Sequence, residues 1–237
     1  MLEKSVIFLK DTSRLIAEDT QGVLYTKSNG FAICGTNISM DDNNAGKSLT
    51  STIIYILNTY ENLPVTQIGK SAFRKNNDIT TVYIPINIEY MFYDAFGYCR
   101  NLENIYFEEG SHLFYIYSGS FYILKKLKYL RLPMTVTNIP IQHALGGNPN
   151  WKVLIYCGMT LFPNETFTIF NQTKNYCPET IYVRKNYPYE NFGGCNNLVR
   201  VSQCSLNPPI ICNTVRNINP FMSYSIIFSN IYIFMLA

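Results

Sequence analysis

The chain has 237 residues and a mass of 27.3 kDa, enough to bury a sizeable core without help from disulfides or metals. Hydrophobic residues make up 47% and charged residues 15%, which excludes a disordered chain; a net charge of +3 with scattered basic residues leaves no footprint for nucleic acid. Two histidines against 19 tyrosines favour a binding or structural protein over an enzyme.

At the N-terminus, Val6-Ile7-Phe8-Leu9 forms a short apolar patch between Lys4 and Lys10. A signal peptide needs a longer apolar stretch and a small-residue cleavage site, and neither is visible. Further on, Gly46-Lys47-Ser48 invites a phosphate-loop reading. The full signature needs glycine five residues before Gly46, where this chain has Asp41, so a solvated loop is expected.

Periodicity begins at Ile68. The segment Ile68-Gly69-Lys70-Ser71-Ala72-Phe73 returns as Met91-Phe92-Tyr93-Asp94-Ala95-Phe96, and again as Ile116-Tyr117-Ser118-Gly119-Ser120-Phe121. Three apolar positions follow each copy: Ile79/Val82/Ile84, Leu102/Ile105/Phe107 and Leu127/Leu130/Leu132. A weaker fourth copy has Trp151/Leu154/Tyr156, and a fifth runs Ile181/Val183. Residues two apart share one side of a strand. One such strand cannot cover its apolar side alone, so repeats stack into a parallel ladder with a common interior. Phe73, Phe96 and Phe121 should form one interior column, and Pro85 and Pro133 should end strands. Ile139 to Gly147 lacks the Ala-Phe signature, so a distorted fourth coil is expected.

The residues between the inward pairs are Tyr83, Tyr106, Arg131, Ile155 and Tyr182. Stacking should align them along the concave face at one coil per strand spacing. Tyr and Arg commonly anchor partners, although β-propensity alone also puts Tyr on strands. These five are the candidate partner-binding residues.

Catalytic, cofactor-binding and metal-ligating residues are not indicated. The cysteines at 34, 99, 157, 177, 195, 204 and 212 contain no C-x-x-C pair, which removes the usual zinc and redox spacings. Cys99 reads as a small core residue, while Cys195, Cys204 and Cys212 allow a disulfide in an exported chain. His112 and His143 have no partner at helical metal spacing, and the acidic pairs Asp41/Asp42 and Glu108/Glu109 diverge rather than converge on a substrate. The sequons at Asn37, Asn164 and Asn171 are as many as the Asn, Ser and Thr content gives by chance. Nothing after Arg216 is charged; Phe221 to Ala237 would reach about 25 Å as a helix, short of a ~30 Å hydrocarbon core. A packed or frayed tail is favoured over a membrane anchor.

The pattern I-G-x-x-A-F followed by L-x-x-V-x-I-P resembles the BspA-like leucine-rich repeat of bacterial and trichomonad surface proteins. Gly22-Val23-Leu24-Tyr25 with Phe31-Ala32-Ile33-Cys34-Gly35 resembles the hairpin that opens trichomonad members, and Leu63 to Gly69 resembles their first-repeat entry. Ile155-Tyr156-Cys157-Gly158 and Tyr187 to Gly194 resemble the closing module. Asn76 and Leu124 stand where such repeats often carry Cys. The resemblance implies an α/β leucine-rich-repeat solenoid: a parallel ladder with short helical or irregular returns. Its parts would be a β-rich N-terminal cap (1–62), repeats with a closing module (63–203) and an apolar tail (204–237) able to contact a membrane. It further implies non-catalytic recognition of host or microbial surface proteins, at the cell surface or secreted. The alternative is an intracellular interaction scaffold, which the absence of a visible signal peptide supports.

Overall fold

The computed structural model describes residues 6–7, 16–36, 42–139, 143–162, 170 and 177–202; they belong to one compact unit that runs to Ser202. The three sequons and the apolar tail lie outside the described residues. Among those described there are strands and turns but no helix, so the returns between strands are of the irregular kind.

The N-terminal strands are β1 (Val6–Ile7), β2 (Ile16–Glu18), β3 (Leu24–Ser28) and β4 (Phe31–Cys34), paired antiparallel in that order. The β3–β4 pair is the hairpin expected from Gly22 to Gly35. Next come β5 (Ile53–Tyr55), β6 (Thr59–Tyr60) and β7 (Leu63–Ile68), where the chain turns from hairpins to coils. The coils hold β8 (Thr81–Ile84), β9 (Tyr90–Met91), β10 (Asn104–Phe107), β11 (Tyr115–Ile116) and β12 (Tyr129–Leu132). β13 (Val153–Tyr156), β14 (Thr180–Arg184) and β15 (Leu198–Val201) complete the order.

Two parallel ladders run along the solenoid. The first joins β5, β8 and β10, then resumes as β12, β13, β14 and β15. The second joins β4, β7, β9 and β11. As far as β11 and β12 each coil contributes a strand to each side, which is how a short repeat covers both of its apolar edges; β13, β14 and β15 extend the first ladder alone. The first ladder begins one coil earlier than the periodicity from Ile68 indicates. Ile54-Tyr55-Ile56 repeats Val82-Tyr83-Ile84, and β5 pairs β8 with Tyr55 opposite Tyr83.

The interior follows the apolar triplets. Ile79, Val82, Ile84, Leu102, Leu127, Leu130, Leu132, Leu154, Ile181 and Val183 are buried on the first ladder. Cys34, Ile68, Met91 and Ile116, in register on the second, are fully covered. Phe107 departs from expectation and is only half-buried. It ends β10, whose far edge has no ladder pairing to β12, so its outer side lacks the cover that a paired strand supplies. Pro85 and Pro133 directly follow β8 and β12 as expected.

Between the ladders, Phe73, Phe96 and Phe121 form the expected column. All three are fully buried, with ring centroids 5.1 Å and 6.3 Å apart and planes within 2° of parallel. Backbone hydrogen bonds from Phe73 to Ala95, Phe96 to Ser120 and Phe121 to Ala144 set this stacking. The last bond shows that Ala144-Leu145 takes the Ala-Phe place in the fourth coil. The expected distortion is thus a substitution of Leu for Phe in the part of that coil described.

Each turn is made by two left-handed residues at fixed places. Ser71, Asp94, Gly119 and His143 occupy the first, and Lys75, Tyr98, Ile123 and Gly147 the second, all with φ between +53° and +74°. Glycine adopts this conformation at no steric cost. At Gly119 it also matters for space, because an added Cβ would lie 2.0 Å from Asp94 Oδ1.

Buried amides close the loops beside the column. Asn76 Nδ2 donates to Asn43 Oδ1 and to the Gly46 carbonyl, while its Oδ1 accepts from the Asp78 and Ile79 N–H groups. Asn148 repeats this role, donating to Phe121 and Leu145 carbonyls and accepting from Leu124 N–H at 2.6 Å. Cys99 is a buried free thiol whose Sγ donates to the Phe73 carbonyl, consistent with its core reading. Gly46 belongs to this packing too: it is buried against Phe73, so Gly46-Lys47-Ser48 begins as part of the first coil. The solvated loop expected there starts only at Lys47, which is exposed.

Candidate binding face

Strand alternation sends Val82 and Ile84 inward, so Tyr83 projects outward. Register repeats this on each strand: Tyr55 aligns with Tyr83, Tyr83 with Tyr106, Arg131 with Ile155, and Ile155 with Tyr182. The five residues expected from sequence thus occupy equivalent positions on the first ladder.

Only part of that row is accessible. Tyr83, Tyr106 and Arg131 are half-buried, whereas Ile155 is 6% and Tyr182 8% exposed. Ile155 and Tyr182 are therefore removed from the accessible stripe. Alternation fixes the side on which a residue projects, not what lies above it. In exchange, the row gains Tyr55, which is 42% exposed. Its signal was in the sequence as the earlier Ile-Tyr-Ile triplet.

Tyr55, Tyr83 and Tyr106 stack as one ladder of rings. Centroids are 4.5 Å and 5.0 Å apart, with interplanar angles of 7° and 15°. Such stacking removes most of the rotational freedom of each ring before any partner arrives. Burial raises the phenol of Tyr106, and burial with the neighbouring Tyr55 and Tyr106 raises that of Tyr83. Tyr83 and Tyr106 consequently stay neutral and keep their hydroxyl donors. Beyond it, Arg131 supplies a cation whose affinity for its proton is lowered by burial and partly restored by Glu109. Its guanidinium lies 4.0 Å from Cys157 Sγ.

A second set of aromatics, which sequence reasoning missed, sits on the other ladder. Tyr90 packs on Phe92 and Phe114, and Tyr117 packs on Phe92, Tyr93 and Tyr115, with centroids 4.2–6.0 Å apart. All are half-buried or exposed. The signal was the alternation Tyr90-Met91-Phe92 and Tyr115-Ile116-Tyr117, obscured because each strand there is two residues long.

The closing region carries a disulfide between Cys177 and Cys195, and Cys157 is disulfide-bonded as well. His112 is exposed and His143 packs on the Tyr122 ring at 5.2 Å. Among the described residues no group of three His, Cys, Asp or Glu side chains is placed to hold a metal. No helix of those residues is long and apolar enough to cross a membrane.

Stacked coils with two parallel ladders and a shared aromatic column define a leucine-rich-repeat solenoid. Residues 54–148 match the BspA type leucine rich repeat region in six copies, and this part of the chain is a BspA-type leucine-rich-repeat region. Among solved structures, the pneumococcal vaccine antigen PcpA is similar at 20% identity and a TM-score of 0.53. The match covers 79% of this chain and 48% of PcpA, so the chain spans about half the length of that antigen. A leucine-rich repeat protein from Bacteroides capillosus is 28% identical, with a TM-score of 0.37, over 56% of this chain and 85% of its own. One from T. pallidum is 14% identical, with a TM-score of 0.44, over 85% and 95%. No curated protein matches the chain.

Proposed function

We propose that this protein is a non-catalytic recognition module that engages a protein partner through Tyr55, Tyr83, Tyr106 and Arg131. The observation that carries this reading is the stacked, partly exposed tyrosine row on a registered parallel ladder. Tyrosine combines large contact area with few rotors, and stacking lowers the ordering cost of binding further. Repeat folds of this type commonly present extended binding surfaces. The site of action we favour is the cell surface or the extracellular medium. The Cys177–Cys195 disulfide supports that, because such bonds persist in oxidising compartments and are rare in the cytosol. An intracellular scaffold would keep those thiols reduced.

The test uses the full chain, tagged, and unpermeabilised cells. Surface labelling is expected, together with binding to partner cells or extracellular matrix. Replacing both Tyr83 and Tyr106 by alanine should weaken that binding by at least about 2 kcal/mol if they are anchors. Undiminished binding by this variant defeats the ladder-face reading. Labelling seen only after permeabilisation defeats the surface location.

A further inference from the structure

We propose that the face of the second ladder, around β9 and β11, binds a neutral oligosaccharide. Its centre is the aromatic group of Tyr90, Phe92, Tyr93, Phe114, Tyr115 and Tyr117, linked by the ring contacts described above. Register places an amide at either end of the same row: Gln67 aligns with Tyr90, Tyr90 with Tyr115, and Tyr115 with Asn138. Four successive coils thus present amide, phenol, phenol and amide along one line. The rings beside that line are inclined by 30° to 66° in four of the five contacts, which leaves them out of one common stack.

This chemistry suits a sugar. A pyranose has a C–H face that packs on aromatic rings and a rim of hydroxyls that both donate and accept. Phenols and amides also do both. Charge agrees with a neutral ligand: phenyl, phenol and amide groups make up the face, with no carboxylate or cationic side chain among the eight. Burial, and then the neighbouring Tyr115, Tyr93 and Tyr90, hold the Tyr117 phenol protonated. Two acids adjoin the face along the chain, Glu89 before Tyr90 and Asp94 after Tyr93, and Asp94 faces Arg74 at 3.4 Å.

Area favours a sugar over a second copy of this chain. Six rings of about 200 Å² each, five of them half-buried and Tyr93 47% exposed, offer at most roughly 450 Å². A stable dimer needs about 800 Å² per partner. A ligand of a few sugar rings fits the smaller figure. This proposal uses a different face from the tyrosine row and stands or falls without it.

The experiment titrates the full chain with cellohexaose, mannohexaose and N-acetylchitohexaose by calorimetry and by NMR of the protein. At least one should bind, with an affinity that does not change between low and high salt, as expected for a neutral ligand. Replacing Tyr115 and Tyr117 by alanine should weaken it about tenfold or more, the scale of losing aromatic contacts. Tyr93→Ala guards against misfolding of that double variant: at 47% exposure its ring can be removed without opening the core, and binding should still fall. The Tyr83→Ala, Tyr106→Ala variant should bind sugar as the parent does. Binding to none of the three probes, or undiminished binding by Tyr93→Ala and the folded double variant, overturns the proposal. So does a protein partner that needs these residues while no sugar binds.

Discussion

The coils from Ile68 to Leu132 and the closing region from Val153 to Val201 keep the same ladder but fill their interiors differently. In the coils one residue type recurs at one place, and Phe73, Phe96 and Phe121 stack within 2° of parallel. In the closing region Tyr156, Phe162 and Phe192 meet at 59° to 65°, with no repeated partner. Tyr156 donates to the Val136 carbonyl and Tyr187 to that of Thr160, so hydroxyls tie the cluster to neighbouring chain. A disulfide completes it. A coil inside a solenoid is held by two identical neighbours, whereas an end must be sealed by irregular packing and cross-links.

The largest effect that separates the regions is expected at Phe96. It is sandwiched between two rings, and the stacked backbone cannot collapse to fill the space. Phe96→Ala should cost about 3–5 kcal/mol, read from urea or thermal unfolding. A curve overlapping the parent's would mean that the column does not hold the coils together.

Next is the cross-link of the closing region. Cys177 and Cys195 are 18 residues apart, and closing a loop of that length constrains the unfolded chain by about 3 kcal/mol. Cys177→Ser should lose about that amount under oxidising conditions. The parent in reductant, which also opens the Cys157 disulfide, should lose at least as much. If Phe96→Ala and Cys177→Ser are both made, their effects should add, since they act on separate interiors.

These expectations mark what the sequence could reveal. The Phe column and the register of Tyr83 with Tyr106 were legible because each depends on a residue type repeated at nearly constant spacing. The exposure of Phe107 was not, since it arises from missing pairing between β10 and β12. Burial of Ile155 and Tyr182 was equally hidden, because it depends on what covers a position rather than on its phase. The second aromatic face was spread over two-residue strands, too short for alternation to stand out. Cys177 and Cys195 gave no spacing signal at all: coiling alone brings them together.

A smaller effect tests how the turns are made. Ile123 is β-branched with φ of +56°, at the position that the next coil gives to Gly147. A left-handed conformation costs an L-residue about 1–2 kcal/mol, and branching at Cβ aggravates it. Ile123→Gly should therefore change stability by no more than about 1 kcal/mol, with a gain expected, because relief of strain offsets the packing lost. A marked loss in the melting temperature would show that its side chain matters more than its backbone.

The smallest effect concerns charge. Asp42 pairs with Arg74 and, at 2.6 Å, with Lys75, across the first two coils. Hydrogen bonds from Lys75 and then Arg74 hold its carboxyl below the usual range, against slight desolvation. A depressed carboxyl adds stability that is present above its unfolded value, near 3.8, and disappears as pH falls through the folded one. Partly exposed pairs of this kind contribute between about 0 and 1 kcal/mol. Asp42→Asn should hence lower stability by less than about 1 kcal/mol at neutral pH, and the difference from the parent should vanish in strong acid. High salt should shrink it too, since exposed pairs are screened. A loss comparable to that of Phe96→Ala, or one that grew on acidification, would mean that the coils are joined by charge at their edges rather than by the rings between them.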